Sequence, residues 1–247
     1  MSTLSRGLLA FAAGFVDTAT FVHLGGLFAA HVTGNFVVFA AALSRGLVAE
    51  DFLKLVTFPV FVIAVLLGAA IHERRRRRDH DHDGARGQGR GKDGDGGHLT
   101  ILGAEGLLLL GAGGVALTAS LRGGSIDLEG LDVAVAMAMV VAMGLQNSVH
   151  RIVPGPMTTV MTGNVTQFTT LIGHAVFGRK QAPSKQEPSK APIRWAPSIA
   201  LLLGFGLGCL ASALSTRALG LCTALAAGVV VSLVVGLEVR RRAHGAS

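Results

Sequence analysis

Residues 14–35 read GFVDTATFVHLGGLFAAHVTGN, and residues 143–164 read MGLQNSVHRIVPGPMTTVMTGN. Gly14-Phe15-Val16-Asp17 is followed by Thr33-Gly34-Asn35, and Gly144-Leu145-Gln146-Asn147 is followed by Thr162-Gly163-Asn164. The step from Gly14 to Gly144 and the step from Thr33 to Thr162 differ by a single position. One tripeptide occurring twice in 247 residues would mean little. Two elements recurring in the same order at nearly one spacing point to an internal duplication.

Around these stretches the chain is apolar. Half of its residues are hydrophobic, 15% are charged, and the mean hydropathy is +0.55. A soluble domain carries about 25% charged residues. Eight apolar blocks stand out, at 7–28, 32–44, 54–72, 99–120, 131–150, 158–177, 195–215 and 218–239. About 20 apolar residues cross a bilayer, so the pattern predicts an all-α integral membrane protein. The alternating ten-residue segments of a membrane barrel are missing. No cleavable signal peptide is expected, because the first block runs on to span length.

The net charge of +7 invites a nucleic-acid reading, but the positions of the charges argue against one. Sixteen of the 22 Lys and Arg residues lie in three clusters, at Arg74–Lys92, Arg179–Arg194 and Arg240–Arg242, between or after apolar blocks. That is the pattern of cytoplasmic loops under the positive-inside rule. If all eight blocks crossed, Lys and Arg would divide 12 inside and 10 outside. If blocks 32–44 and 158–177 instead dip in and return, the division becomes 18 to 4. The charges therefore favour about six transmembrane helices plus two re-entrant half-helices, with both termini cytoplasmic. Three crossings per half would make the second half inverted relative to the first, a recurrent transporter arrangement.

The resulting organisation is a first repeat core at 1–72, a disordered cytoplasmic loop at 73–98, and a linking span at 99–122. A second repeat follows at 131–239, containing a polar linker at 178–194, and then a cytoplasmic tail at 240–247. The 73–98 loop is Gly- and charge-rich, a composition that buries no core. His80 and His82 alternate there with Asp79, Asp81 and Asp83, but zinc wants fixed ligand geometry, so no metal site and no cofactor are expected. Cys209 and Cys222 lie in apolar blocks and read as small core residues. No nucleophile–base pair is visible, so the chain is not read as an enzyme.

The residues fit for a binding site are Thr33, Gly34, Asn35, Thr162, Gly163 and Asn164, together with Gln146 and Asn147. Thr can cap a helix, Gly lets the backbone turn, and Asn supplies both a donor and an acceptor. In an inverted repeat the two motifs would open half-helices from opposite faces and meet near the midplane. Two helix N-termini there suit an anion or a carboxylate or carbonyl oxygen. Asp17 lies well inside the first block, where an ionised carboxylate needs a partner or a proton. Its counterpart is the neutral Asn147, an asymmetry that suits proton coupling through Asp17. His31, two residues before Thr33, could line the same vestibule.

The two quoted stretches resemble the YoaK family of small bacterial membrane proteins, a domain of unknown function. The likeness covers essentially the whole chain apart from the Arg/Asp/His-rich loop and the Pro-Ser-Lys linker. It implies an integral protein of the bacterial inner membrane and names no substrate. The expected function is a secondary transporter or channel for an unidentified small solute. The alternative is a non-transporting scaffold that binds a partner or lipid through its basic loops. The expected surroundings are the lipid bilayer, with no nucleic acid.

Overall fold

The computed structural model describes residues 1–86, 96–122, 128–177 and 195–245. Among them are eight α-helices: α1 (Thr3–His23), α2 (Val32–Leu43), α3 (Asp51–Arg86), α4 (Gly97–Arg122), α5 (Leu128–Val149), α6 (Met161–Phe177), α7 (Trp195–Leu219) and α8 (Ala224–Gly245). A 3₁₀ turn at Gly220–Thr223 joins α7 to α8, and no strand occurs among the described residues. Four stretches are long and apolar enough to cross a bilayer: Asp51–Arg78, Gly97–Arg122, Gly130–Val149 and Ala196–His244. The last is 49 residues long and contains both α7 and α8. Its outer surface carries Leu203, Leu207, Leu210 and Leu214, all exposed and at helical spacing. Such a stripe is stable only against lipid or another apolar surface. The chain is a multipass helical membrane protein.

Side-chain and backbone contacts fix the helix directions. Gly7 of α1 lies against Ala200 and Gly204 of α7, Phe11 against Gly208, and Gly14 against Phe205 and Cys209. The two helices therefore run parallel. A Cβ on Gly204 or Gly208 would overlap the carbonyl oxygen of Gly7 or Phe11. Glycine at these positions lets two backbones approach without intervening side chains, as small residues do in membrane bundles. Helices α3 and α5 pair in the same parallel sense, with Gly144 against Phe61 and Ala64, and Gly68 against Ser148. Helix α8 runs back along α1, its Glu238 reaching Ser2 and Ser5. It also runs antiparallel to α4, with Gly106 facing Ser232 and Gly113 facing Leu225. Helix α5 runs antiparallel to α1, with Asp132 at His23 and Gln146 at Leu9, so α1, α4 and α7 point one way, and α3, α5 and α8 the other.

The shorter α2 lies antiparallel to the start of α3, because Asn35 meets Thr57, Phe39 meets Phe52, and Arg45 meets Asp51. Arg45, Lys54 and the buried Asp51 form an ion-pair cluster at the turn that joins this pair.

The expected loop at 73–98 is corrected in part. Helix α3 continues to Arg86 and α4 begins at Gly97. A helix already nucleated by a long span propagates cheaply, and Glu73 pairs with Arg76 and Arg77 one turn on. Helix α8 likewise carries the expected tail on to Gly245. Residues 87–95 and the polar linker at 178–194 lie outside the described residues, as do the side chains of the Asp79–Asp83 tract. Glu105 is fully buried, with neither carboxyl oxygen hydrogen-bonded. Sequence position suggests an interfacial acid, but the residue lies on the inner face of α4 with Ile101, Leu102 and Leu109.

Candidate functional site

After His23 the chain turns back on itself through Gly25 (φ 56°) and Gly26 (φ 93°), conformations that a side chain would oppose. It then descends beside α1 to the level of Asp17, six residues or about 9 Å below His23. Oδ1 of Asp17 accepts the N–H groups of Ala29 (2.8 Å) and Ala30 (2.6 Å). Oδ2 lies 2.5 Å from Nδ1 of His31. The carboxyl is thus buried yet supplied with three partners, as the cost of an isolated buried charge demands.

Asn35 closes the same loop from the other side. Its Nδ2 donates to the Phe28 carbonyl (2.8 Å) and to Thr57 Oγ1 (2.7 Å), while Phe28 N–H donates to its Oδ1 (2.8 Å). Four consecutive residues, Phe28 to His31, are therefore pinned between Asp17 and Asn35. The capping expected of Thr33 does not occur. Helix α2 begins two residues earlier than such a cap would set it, at Val32, with His31 at the N-cap and no side-chain cap. Thr33 sits exposed in the first turn.

The second half repeats part of this wiring. Asn147 Oδ1 accepts the Thr159 hydroxyl (2.7 Å), and Asn164 Nδ2 donates to the Met157 carbonyl (2.6 Å). In both halves the motif Asn reaches the carbonyl seven residues before it. Gln146 Nε2 donates to the Leu9 carbonyl (3.0 Å) and to Thr158 Oγ1 (2.9 Å), tying the second loop to α1. Arg6 adds a clamp of its own, donating to the carbonyls of Pro154 and Pro156. Thr162 and Gly163 are exposed on the first turn of α6.

These residues line different cavities. Asp17, Thr33 and Gly34 face a cavity of about 530 Å³ whose other walls are Thr18, Phe21, Phe28, His31, Phe205 and Cys209. Gly163 and Asn164 line a second, of about 310 Å³, with His150 and Gln167. Gln146 borders a third of about 10 Å³, room for one water. The first cavity has the size of an ordinary small-molecule site. His31 is the joint between its chemistry and its walls: Nδ1 is held by Asp17, and the ring meets Phe205 edge-on at a centroid distance of 5.4 Å. Asn35 and Asn164 do not face each other across a ligand, because each commits its amide to its own loop. Among the described residues no group of three or more His, Cys, Asp or Glu is placed to hold a metal ion.

His31 as partner of Asp17 had a signal in the sequence, its place just before Thr33. Phe205 and Cys209 had none, since they lie near the other end of the chain and enter only through the α1–α7 pairing. The family described as "Protein of unknown function (DUF1275)" matches residues 7–237, nearly the whole chain. No curated protein and no solved structure matches.

Proposed function

We propose, for a chain that belongs to the DUF1275 family, that it is a secondary transporter of a small solute and that the Asp17–His31 cavity is its solute site. The observation that carries this reading is a buried carboxylate that hands its interaction to one imidazole, whose ring lines a cavity of ligand size. Histidine changes charge near neutral pH, and a carboxylate on Nδ1 fixes which nitrogen is left to exchange a proton. In a membrane interior such an ionisable pair is expensive and marks a pathway.

The architecture we read around it is an inverted repeat. Three long helices point each way, and α1 runs opposite to α5, its counterpart by sequence. α1 pairs in parallel with α7 just as α5 pairs with α3. Helices α2 and α6 are then half-helices, each preceded by a loop pinned by a motif Asn. This gives six crossings, with both termini on the side that carries the Lys/Arg clusters, the cytoplasmic side of a bacterial inner membrane. We read the protein as a carrier, not an enzyme, since the dyad needs only to take up and release a proton.

The test is solute-driven proton movement in vesicles reconstituted with the purified protein. Asp17→Asn should abolish it while leaving the folded yield near that of the unaltered protein. Undiminished flux in that variant would remove Asp17 from the coupling.

A further inference from the structure

The cavity around His31 fixes a solute class by charge and by wall chemistry, on the reading that it is the transport site. We infer that the ligand is a small organic cation, an alkylammonium with an apolar or aromatic body, exchanged one for one against a proton on the Asp17–His31 pair. Among the described residues no Lys or Arg lines this cavity. Its titratable groups are Asp17, His31 and the Cys209 thiol, which lies 3.5 Å from the Gly14 carbonyl. With His31 neutral the pair carries −1, and with His31 protonated it carries zero. At no stage does it become a positive centre for an anion. The N-terminus of α2 lends about half a positive charge, and the Asp17 carboxylate beside it offsets that.

The walls agree with the charge. Phe21, Phe28 and Phe205 are three of the nine lining residues, and Phe21 and Phe28 pack with ring centroids 4.9 Å apart. The faces of aromatic rings attract ammonium groups, more strongly when water is excluded. The anion expected from two facing helix N-termini loses its ground, because the two motifs line separate cavities.

The exchange balances without any further reactant. With Nδ1–H directed at Asp17, a protonated His31 also carries a proton on Nε2. An arriving ammonium displaces that proton to water. Its own N–H then donates to the freed Nε2 lone pair, and release reverses the steps. One positive charge enters for each that leaves, so flux should follow a pH gradient and ignore a membrane potential.

The experiment uses the full chain, purified in detergent and then reconstituted, with three probes of one shape: benzylammonium, benzoate and benzyl alcohol. Benzylammonium in large excess should raise Tm by several degrees, as a ligand selective for the folded state does. Benzoate and benzyl alcohol should leave Tm unmoved. His31→Gln should weaken benzylammonium at least tenfold, and Phe205→Ala should do so as an independent variant if the first folds poorly. Equal stabilisation by benzyl alcohol, or preference for benzoate, overturns the cation assignment, and so does no response to any probe. The transport reading is separated in the vesicles. Benzylammonium that binds through His31 but is not driven by a pH gradient removes transport and keeps the ligand class. Benzoate flux that depends on His31 keeps transport and removes the class.

Discussion

In the loop before α2, the Asp17 carboxylate receives two backbone N–H groups and a histidine. In the loop before α6, the Asn147 amide oxygen receives one threonine hydroxyl. The outlines match, since in both halves a polar residue on the preceding helix holds a loop that a motif Asn closes from the far side. The chemistry does not match. The first loop is held by a carboxylate paired with a histidine, and the position corresponding to His31 is Val160 in the second. The second loop is held by neutral amides and by Arg6, which donates to carbonyls. On the proposed repeat, two copies of one device differ so that only one carries a carboxylate–imidazole pair. The other is a fixed strut.

The largest effect should separate the two anchors. Asp17→Ala strands the N–H groups of Ala29 and Ala30, at about 1–3 kcal/mol for each unpaired buried donor. Asn147→Ala strands only a hydroxyl that can turn to another acceptor. Thermal unfolding in detergent should therefore show a much larger fall in Tm for Asp17→Ala, and equal falls would dissolve the contrast. Next in size are the motif asparagines. Asn35→Ala removes three hydrogen bonds and should cost about 2–3 kcal/mol, while Asn164→Ala removes one good bond and should cost about 1 kcal/mol. Denaturant or thermal titration of both variants would show the order, and its reversal would count against Asn35 as the tighter latch.

A smaller effect tests the charge itself. Asp17→Asn makes the first anchor resemble the second: Oδ1 still accepts from Ala29 and Ala30, but the charge that bound His31 is gone. Stability should fall by about 1–2 kcal/mol, the difference between a charged and a neutral acceptor. Circular dichroism melting would check it, alongside the flux assay. The smallest is Thr57→Val, which deprives Asn35 of one hydrogen bond out of three and keeps the side-chain shape. A loss of about 1 kcal/mol is expected, with no loss of solute binding, as a thermal-shift titration would read out.

Much of this is legible along the chain. The apolar blocks mark every helix, and the block at 32–44 coincides with α2 almost residue for residue. The shared spacing of the two motifs anticipates a repeated hydrogen bond from each motif Asn, although not what that bond does. Thr-Gly-Asn reads as a capping and ligand-binding triplet, whereas Asn35 and Asn164 reach back seven residues to their own loops. Local spacing says what a side chain can donate and accept. It does not say whether a loop will fold back to take the offer. The run after His72 misleads for a related reason. Its composition favours disorder in isolation, but as far as Arg86, at the end of a long span, it inherits a nucleated helix.

By itself the sequence determined that this chain belongs in a bilayer, that its two halves share a pattern, and that Asp17 is costly enough to need a partner. Those conclusions rest on composition, periodicity and desolvation, which act residue by residue along the chain. Only the tertiary structure decided that His31 is that partner and that Phe205 and Cys209 close the same cavity. It also decided that the two motifs open onto different spaces. The closing of the cavity by Phe205 and Cys209 depends on α1 lying backbone to backbone against α7, where Gly14, Gly204 and Gly208 leave no side chain between them. A contact between the first helix and the seventh is set by how surfaces fit, and no local window of sequence contains both surfaces.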